Sequence, residues 1–378
     1  MKILFAAIGA YGHLYPMMPL ALAAAEAGHQ VTIATGGPFL DRLPLPTVPA
    51  YTGLALEDVE AETRRRHPDA SGMDLSAALF ADVAAGHIGP VMIENCERLE
   101  PDLVVYEVLN TGAGLAADIL QLPAIAFSIS LKQGFFPMVH EGTISHQREQ
   151  WSTRGLEPPD GPLLAATLLD PVPPSLHLFD DDLPIDTIAI RSVAYSDSAS
   201  EVPPWLAEPR TRPRIFLTLG TVSFGAVEVL RRVIEETASL DLDVLVAVGP
   251  VGDPSLLGDL SDRVRVERFV AQSRVLGLVD LMVHHGGTGS VLGALEAGIP
   301  QLILPQGADQ FINADLLSQA GAARALLEPE PSAGTIREAV SALIGESAER
   351  RVARRLRDEM AAMPSPAEVV DRLSALAC

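Results

Sequence analysis

Cysteine is nearly missing from this chain: Cys96 and Cys378 are the only two in 378 residues. That count excludes a disulfide scaffold and fits a reducing cytoplasm. Basic residues are scarce too, with 27 Lys and Arg against 49 Asp and Glu, for a formal charge of −22. Nucleic acid and anionic membrane surfaces both reward basic protein surface, so neither is an expected partner. No uninterrupted apolar stretch reaches the length that spans a bilayer. The opening "MKILFAAIGAYGH" carries one lysine and a short apolar run, with no basic cluster ahead of it. Ile3 to Ile8 therefore reads as a buried first strand rather than a secretory signal.

What is present points to a globular α/β protein. Hydrophobic residues make up 48% and charged residues 20%, a balance that supports a packed core, and the length favours two domains. Apolar runs alternate with helical patterns in both halves: "KILFAAI", "VTIAT", "DLVVYE", "PAIAFS" and "TIAIRSV", then "RIFLTLG", "DVLVAVG", "RVRVERF", "LMVHHG" and "PQLILP". Continuous apolar strands between helices imply parallel sheets covered on both faces, hence two doubly wound, Rossmann-like domains. The expected division is 1–195, a Pro- and Ser-rich linker at 196–213, 214–360, and a last helix at 361–378 packing back on the first domain. Two segments, Thr52 to Gly72 and Ser130 to Thr167, show no clear pattern and read as functional loops. The first holds the run Arg64, Arg65, Arg66, which reads as a solvated face.

One stretch stands out: "VHHGGTGSVLGALEAGIPQLILPQGADQ", Val283 to Gln310. A strand runs into two histidines and three glycines, Gly286, Gly287 and Gly289, and then into a helix that stops at Gly298. Thr288 or Ser290 can cap that helix. Extra glycines let the backbone approach a ligand, and a helix N-terminus favours an anion, with His285 adding a hydrogen bond. Spacing excludes the dinucleotide fingerprint G-x-G-x-x-G. Asp309 and Gln310 follow the next strand and suit a polyhydroxylated group. Gly220 and Thr221 end another strand, and Phe269 another; ligands of open parallel sheets bind at these carboxyl ends.

These residues resemble a known family, the bacterial natural-product glycosyltransferases of the GT-B fold. His285 to Asn313 is similar to their "HGGxGT…GvPqlxxPxxaDQxxNA" signature, and "GHLYPMMPLALAAAEAGHQVTIAT" to their N-terminal signature. The "GAGLAA" and "HHGGTG" wording most resembles transferases of enediyne (calicheamicin-type) pathways. The resemblance implies two domains facing each other across a crevice and no cofactor. A nucleotide-diphosphate sugar serves as co-substrate in the second domain, and a hydrophobic natural-product acceptor binds in the first. It implies that His285 with Gly286, Gly287, Thr288, Gly289 and Ser290 holds the pyrophosphate and that Asp309 with Gln310 holds the sugar. Phe269 would stack on the base, the Val270 backbone would bond its edge beside Gln272, and Thr221 or Ser223 would contact phosphate after Gly220.

His13, between the first strand and its helix, is the catalytic candidate: kept neutral by a helix N-terminus, it can accept a proton from an attacking hydroxyl. Glu107, ending "DLVVYE", is the carboxylate best placed to orient it, although many relatives carry Asp at that position; Asp102 starts the same strand at its far end. Tyr11, His140 and His146 are candidates for the acceptor pocket. "HEGTISH" misses the H-E-x-x-H spacing of zinc sites, and the D-x-D of Asp180 to Asp182 reads as a solvated loop, so no metal is expected. The expected activity is an inverting, metal-independent transfer of a deoxysugar, with dTDP as the nucleotide because Gly293 replaces a ribose-binding Glu of plant relatives. A nucleotide-sugar epimerase of the same fold and a non-catalytic activator homologue are the alternatives. A homodimer is compatible with the sequence, which does not set the oligomeric state.

Overall fold

A computed structural model describes all residues except 52–55, 133–134, 162, 178–184, 198–200, 221–225, 250–251, 328–333 and 377–378. The chain divides into two compact units. One comprises Met1–Pro171, Phe179–Arg191 and Pro364–Cys378; the other comprises Val172–Leu178 and Ser192–Met363.

The first unit is a parallel sheet of β1 (Lys2–Ala6), β2 (Gln30–Thr35), β3 (Thr47–Pro49), β4 (Leu103–Glu107), β5 (Ala124–Phe127), β6 (Thr167–Asp170) and β7 (Asp186–Ala189), in the order β3-β2-β1-β4-β5-β6-β7. Ile3, Leu4, Phe5, Leu103, Val104 and Val105 are all buried, as expected of strands covered on both faces. From β1 the chain builds outward to β3, then returns to place β4 on the other side of β1 in parallel register, Ala6 opposite Tyr106. The split between β1 and β4 is the topological switch point, where open sheets bind ligands.

The second unit repeats the plan with β8 (Arg214–Thr218), β9 (Asp243–Ala247), β10 (Val264–Glu267), β11 (Leu281–His284), β12 (Gln301–Ile303) and β13 (Ala323–Ala325), in the order β10-β9-β8-β11-β12-β13. Ile215, Leu217, Val283 and Leu302 pack into one core cluster, while Phe216, Leu245 and Met282 pack into another on the opposite face. Its switch point lies between β8 and β11.

Several expectations need correction. The stretch 196–213 is no free linker in its described part: Leu206 is buried in the core of the second unit, and Arg214 binds the Leu206 and Glu208 carbonyls at 2.8 and 2.9 Å. The helix Pro366–Leu376 packs on the helix Met18–Glu26 of the first unit, but residues up to Met363 belong to the second. Both patternless segments contain helices, Leu56–Arg66 and Phe136–Ser152. Apolar periodicity missed them because the buried face of the longer one is partly polar, through His140, Thr143 and Gln147. In the shorter one, the buried residues whose side chains are described are Val59 and Thr63. Residues Gly72–Leu99 form one helical run of 28 residues that is long and apolar enough to cross a membrane by composition alone. Ile88, Met92, Ile93 and Cys96 bury its apolar side, and Asn95 bonds the Pro49 carbonyl, so it serves here as a core helix.

Candidate active site

At the first switch point the turn after β1 enters a helical turn, Tyr11–Leu14, so His13 lies within the helical run rather than ahead of it. His13 lies in this turn with its side chain 18% exposed, and its Nδ1 is 2.9 Å from Oε1 of Glu107, the last residue of β4. Glu107 is fully buried and held on every side. Its Oε2 accepts from the Leu109 N–H at 2.8 Å, and Oε1 also accepts from the Ile8 N–H at 3.4 Å. A carboxylate accepting at Nδ1 places the imidazole proton there and leaves Nε2 as the basic nitrogen. Sequence reasoning missed Phe80, whose ring centroid lies 5.8 Å from that of His13. It also missed an adjoining apolar cavity lined by Ile8, Tyr51, Val59, Leu79, His87 and Ile88.

The three acceptor candidates separate. Tyr11 stands edge-on to Phe39 and Tyr15, at 4.9 and 5.0 Å between centroids. His146 is exposed and meets the His67 ring edge-on at 5.5 Å. His140 is fully buried, so it cannot line a pocket surface, and burial pushes its pKa down to about 4. Asp102, at the opposite end of β4, accepts from the Lys2 N–H at 2.7 Å.

At the second switch point Gly220 follows β8 and the histidine-glycine turn follows β11. The two histidines do different work. His284 is structural: its Nε2 bonds Gln301 Oε1 at 2.8 Å, and its Nδ1 accepts from the Gly286 N–H at 3.0 Å. His285 packs closely against two glycines. A Cβ on Gly220 would fall 2.7 Å from its Cε1, and one on Gly287 would fall 2.5 Å from its Nε2. Gly286, at φ +96°, is needed for a third reason, because a Cβ there would meet Ile303 at 2.8 Å and the Gln310 carbonyl at 3.1 Å. Two of the three glycines in the turn therefore make room for protein, not ligand. Gly289 alone faces open space.

The ring of His285 keeps a buried Nδ1 with no hydrogen-bond partner, at the N-terminus of the helix Thr288–Ala297. Burial holds its pKa down to about 4, so it is a neutral group that can donate a hydrogen bond and does not supply a charge. Positive potential comes instead from the helix end, which Gly287 begins with no side-chain cap. Thr288 does not cap as expected; its hydroxyl contacts Asp309 Oδ2 at 3.3 Å. Asn313, one helical turn after Asp309, bonds both Asp309 Oδ2 at 3.1 Å and the Gly286 carbonyl at 2.9 Å, fixing the carboxylate against the turn. The "DQxxN" spacing carried that signal.

Gln310 departs from expectation. Its Oε1 accepts from the Gln306 and Gly307 N–H groups at 2.8 and 3.1 Å, so only its amide nitrogen is left to bind a ligand. Phe269 is half-buried just beyond β10, Val270 buries its side chain in the core, and Gln272 opens the turn Gln272–Val275. Thr221, Ser223 and the Asp180 to Asp182 run lie outside the described residues. Among the described residues, no three His, Cys, Asp or Glu side chains gather to hold a metal ion.

Comparison with known proteins agrees with this architecture. Residues 21–220 match the N-terminal domain of the Erythromycin biosynthesis protein CIII-like family, and residues 231–376 match its C-terminal domain. The L-demethylnoviosyl transferase of Streptomyces niveus is 32% identical, over 99% of this chain and 98% of its own. The glycosyltransferase SnogD from Streptomyces nogalater superposes with a TM-score of 0.85 at 29% identity, covering 100% of both chains. The spinosyn rhamnosyltransferase SpnG complexed with thymidine diphosphate gives a TM-score of 0.80 at 26% identity, over 99% of this chain and 100% of its own. Two parallel-sheet Rossmann-like units of the GT-B kind, matched end to end in sequence, leave one assignment: the chain belongs to the EryCIII-like family of glycosyltransferases.

Proposed function

We propose that this enzyme moves a deoxysugar from a dTDP-linked donor to a hydroxyl of a polyketide or macrolide-type natural product, with inversion and without a metal. The carrying observation is the 2.9 Å contact between His13 Nδ1 and a fully buried Glu107. Glu107 holds the imidazole with Nε2 free to take the proton of the acceptor hydroxyl. As that O–H bond breaks, the oxygen bonds the anomeric carbon, and the carbon–phosphate oxygen bond leaves with its electron pair on the nucleotide diphosphate. Attack opposite the leaving group inverts the anomeric centre. Glu107 then stabilises the imidazolium.

The second unit supplies the leaving-group side. His285 as a neutral donor and the N-terminus of the helix Thr288–Ala297 favour the departing diphosphate, which supports metal independence. Asp309, fixed by Asn313, suits the sugar hydroxyls. Gly293 faces the core, where a Cβ would meet Leu276 at 3.0 Å and Gln272 at 3.4 Å, so its identity has a packing origin and carries no information on the ribose. Support for a thymidine donor comes from SpnG, whose structure is solved in complex with thymidine diphosphate. The "GAGLAA" wording behind the enediyne likeness has a packing origin: a Cβ on Gly112 would strike Ile88 at 2.7 Å, and one on Gly114 would strike Tyr106 at 3.1 Å. It therefore carries no acceptor information. The thiol inventory supports work in a reducing cytoplasm.

The test is nucleotide release from dTDP-sugars with and without a panel of aglycones, with products identified by mass. Glycoside formation that tracks dTDP release is expected, with dTDP bound more tightly than UDP. Release without glycoside would favour an epimerase. Equal or tighter UDP binding would overturn the dTDP assignment.

A further inference from the structure

The helix Phe136–Ser152 buries a polar stripe where an aliphatic one would be cheaper. His140, Thr143 and Gln147 lie at i, i+3 and i+7 and so share one face. Each side chain reaches a different part of the acceptor-side machinery. His140 Nε2 donates to the Val108 carbonyl at 2.8 Å. Thr143 Oγ1 donates to Thr111 Oγ1 at 2.8 Å, and Thr111 Oγ1 donates to the Phe80 carbonyl at 3.2 Å. Gln147 Nε2 donates to the Asp82 carbonyl at 2.8 Å, at a point where its own backbone leaves helical geometry, with φ −107° and ψ 15°. Phe80 and Asp82 both lie in a π-helical segment, Leu79–Ala84, and segments of this kind are frequent at functional sites.

The first of these contacts matters most for chemistry. Val108 follows Glu107 directly, and the turn it opens is what aims the carboxylate. Val108 N–H is tied to the Phe127 carbonyl at 3.0 Å, and Asn110 N–H returns to the Glu107 carbonyl at 2.8 Å. The Val108 carbonyl is tied by His140. With all of these made, Glu107 can hold Leu109 and His13 at once. Buried polar groups keep such partners because an unmet carbonyl is costly, and a turn that loses one relaxes. His140 is held neutral by burial, so it presents the same single N–H over the whole working pH range.

We propose that His140 is a positioning residue for the His13–Glu107 pair, acting through the Val108 carbonyl to fix the carboxylate on the base. This rests on the reading of His13 as the general base. The experiment compares His140→Leu, which removes the donor, with His140→Gln, which keeps an N–H at nearly the same reach. His140→Asn, polar but too short to reach Val108, serves as a second loss variant should the leucine protein fail to fold. Two readouts are taken: kcat and KM across pH, and the proton resonance of the His13 Nδ1–H, assigned by its loss in His13→Ala.

Loss of the donor should lower kcat by ~10²-fold, the usual cost of a displaced catalytic group, with the donor KM unchanged. The acid limb of the kcat profile should shift, and the His13 resonance should broaden or vanish. His140→Gln should restore both. A folded loss variant with parental kcat, pH profile and resonance overturns the proposal, as does a lower Tm with neither readout moved. The resonance needs no substrate. If no aglycone is turned over, the functional reading fails while the resonance still decides the role of His140.

Discussion

Replacing Gly287 with alanine would set a methyl carbon 2.5 Å from Nε2 of His285. Carbon contacts settle near ~3.5 Å, so the ring must retreat by about 1 Å. Gly220 is also close to this Nε2–Cε1 edge of the ring, since a Cβ there would fall 2.7 Å from Cε1. Overpacking of this kind costs ~1–3 kcal/mol of stability. On the proposed reading, moving the ring also forfeits the hydrogen bond His285 would give the diphosphate, a loss of ~1.5–3 kcal/mol for a charged acceptor. The dissociation constant for dTDP should then rise by roughly 10- to 100-fold. Calorimetric titration of dTDP, paired with a thermal melt, measures both effects. Gly289→Ala is the internal control for the fold: its new methyl meets nothing within 4 Å, and alanine is the better helix former, so its Tm should not fall. A folded Gly287→Ala protein that binds dTDP within about twofold of the parent would refute the role given to His285.

His13→Ala should leave dTDP affinity intact and slow transfer by ~10²–10⁴-fold, with Glu107→Gln acting in the same direction more weakly; single-turnover rates decide this, and near-parental rates would remove the base assignment. EDTA should leave transfer unchanged, whereas activity lost to chelation and restored by magnesium or manganese would return attention to Asp180 to Asp182. Acid should destabilise the protein through His140, His284 and His285, whose pKa values burial lowers to about 4, about 3 and about 4. Their stabilising contribution is complete above the unfolded value of ~6.5 and is lost as pH falls toward those native values, by up to ~1.4 kcal/mol per pH unit for each. Urea melts between pH 7 and pH 5 should show a shallower slope for His140→Gln than for the parent, and identical slopes would show that His140 takes up a proton in the native state.

Local signals carried much of this protein. The continuous apolar runs from "KILFAAI" to "PQLILP" specify parallel strands because both faces of each are buried. The stretch from His285 to Asn313 is legible because strand, turn and helix N-terminus are contiguous. His13 was visible for the same reason, lying a few residues past a strand end. What stayed hidden depends on residues that meet only after folding. Strand order already placed Glu107 beside His13, 94 positions away, but not the Ile8 and Leu109 N–H groups that hold the carboxylate in place. Gly287 and Gly220, from separate turns, need to be glycine because His285 fills the space a Cβ would take. The helix Phe136–Ser152 escaped notice because its buried stripe is polar, and a buried polar residue reads as surface until its partners are known. Hydrophobic pattern records which side of an element leaves water; which polar groups meet there is settled only when the strands close up around them.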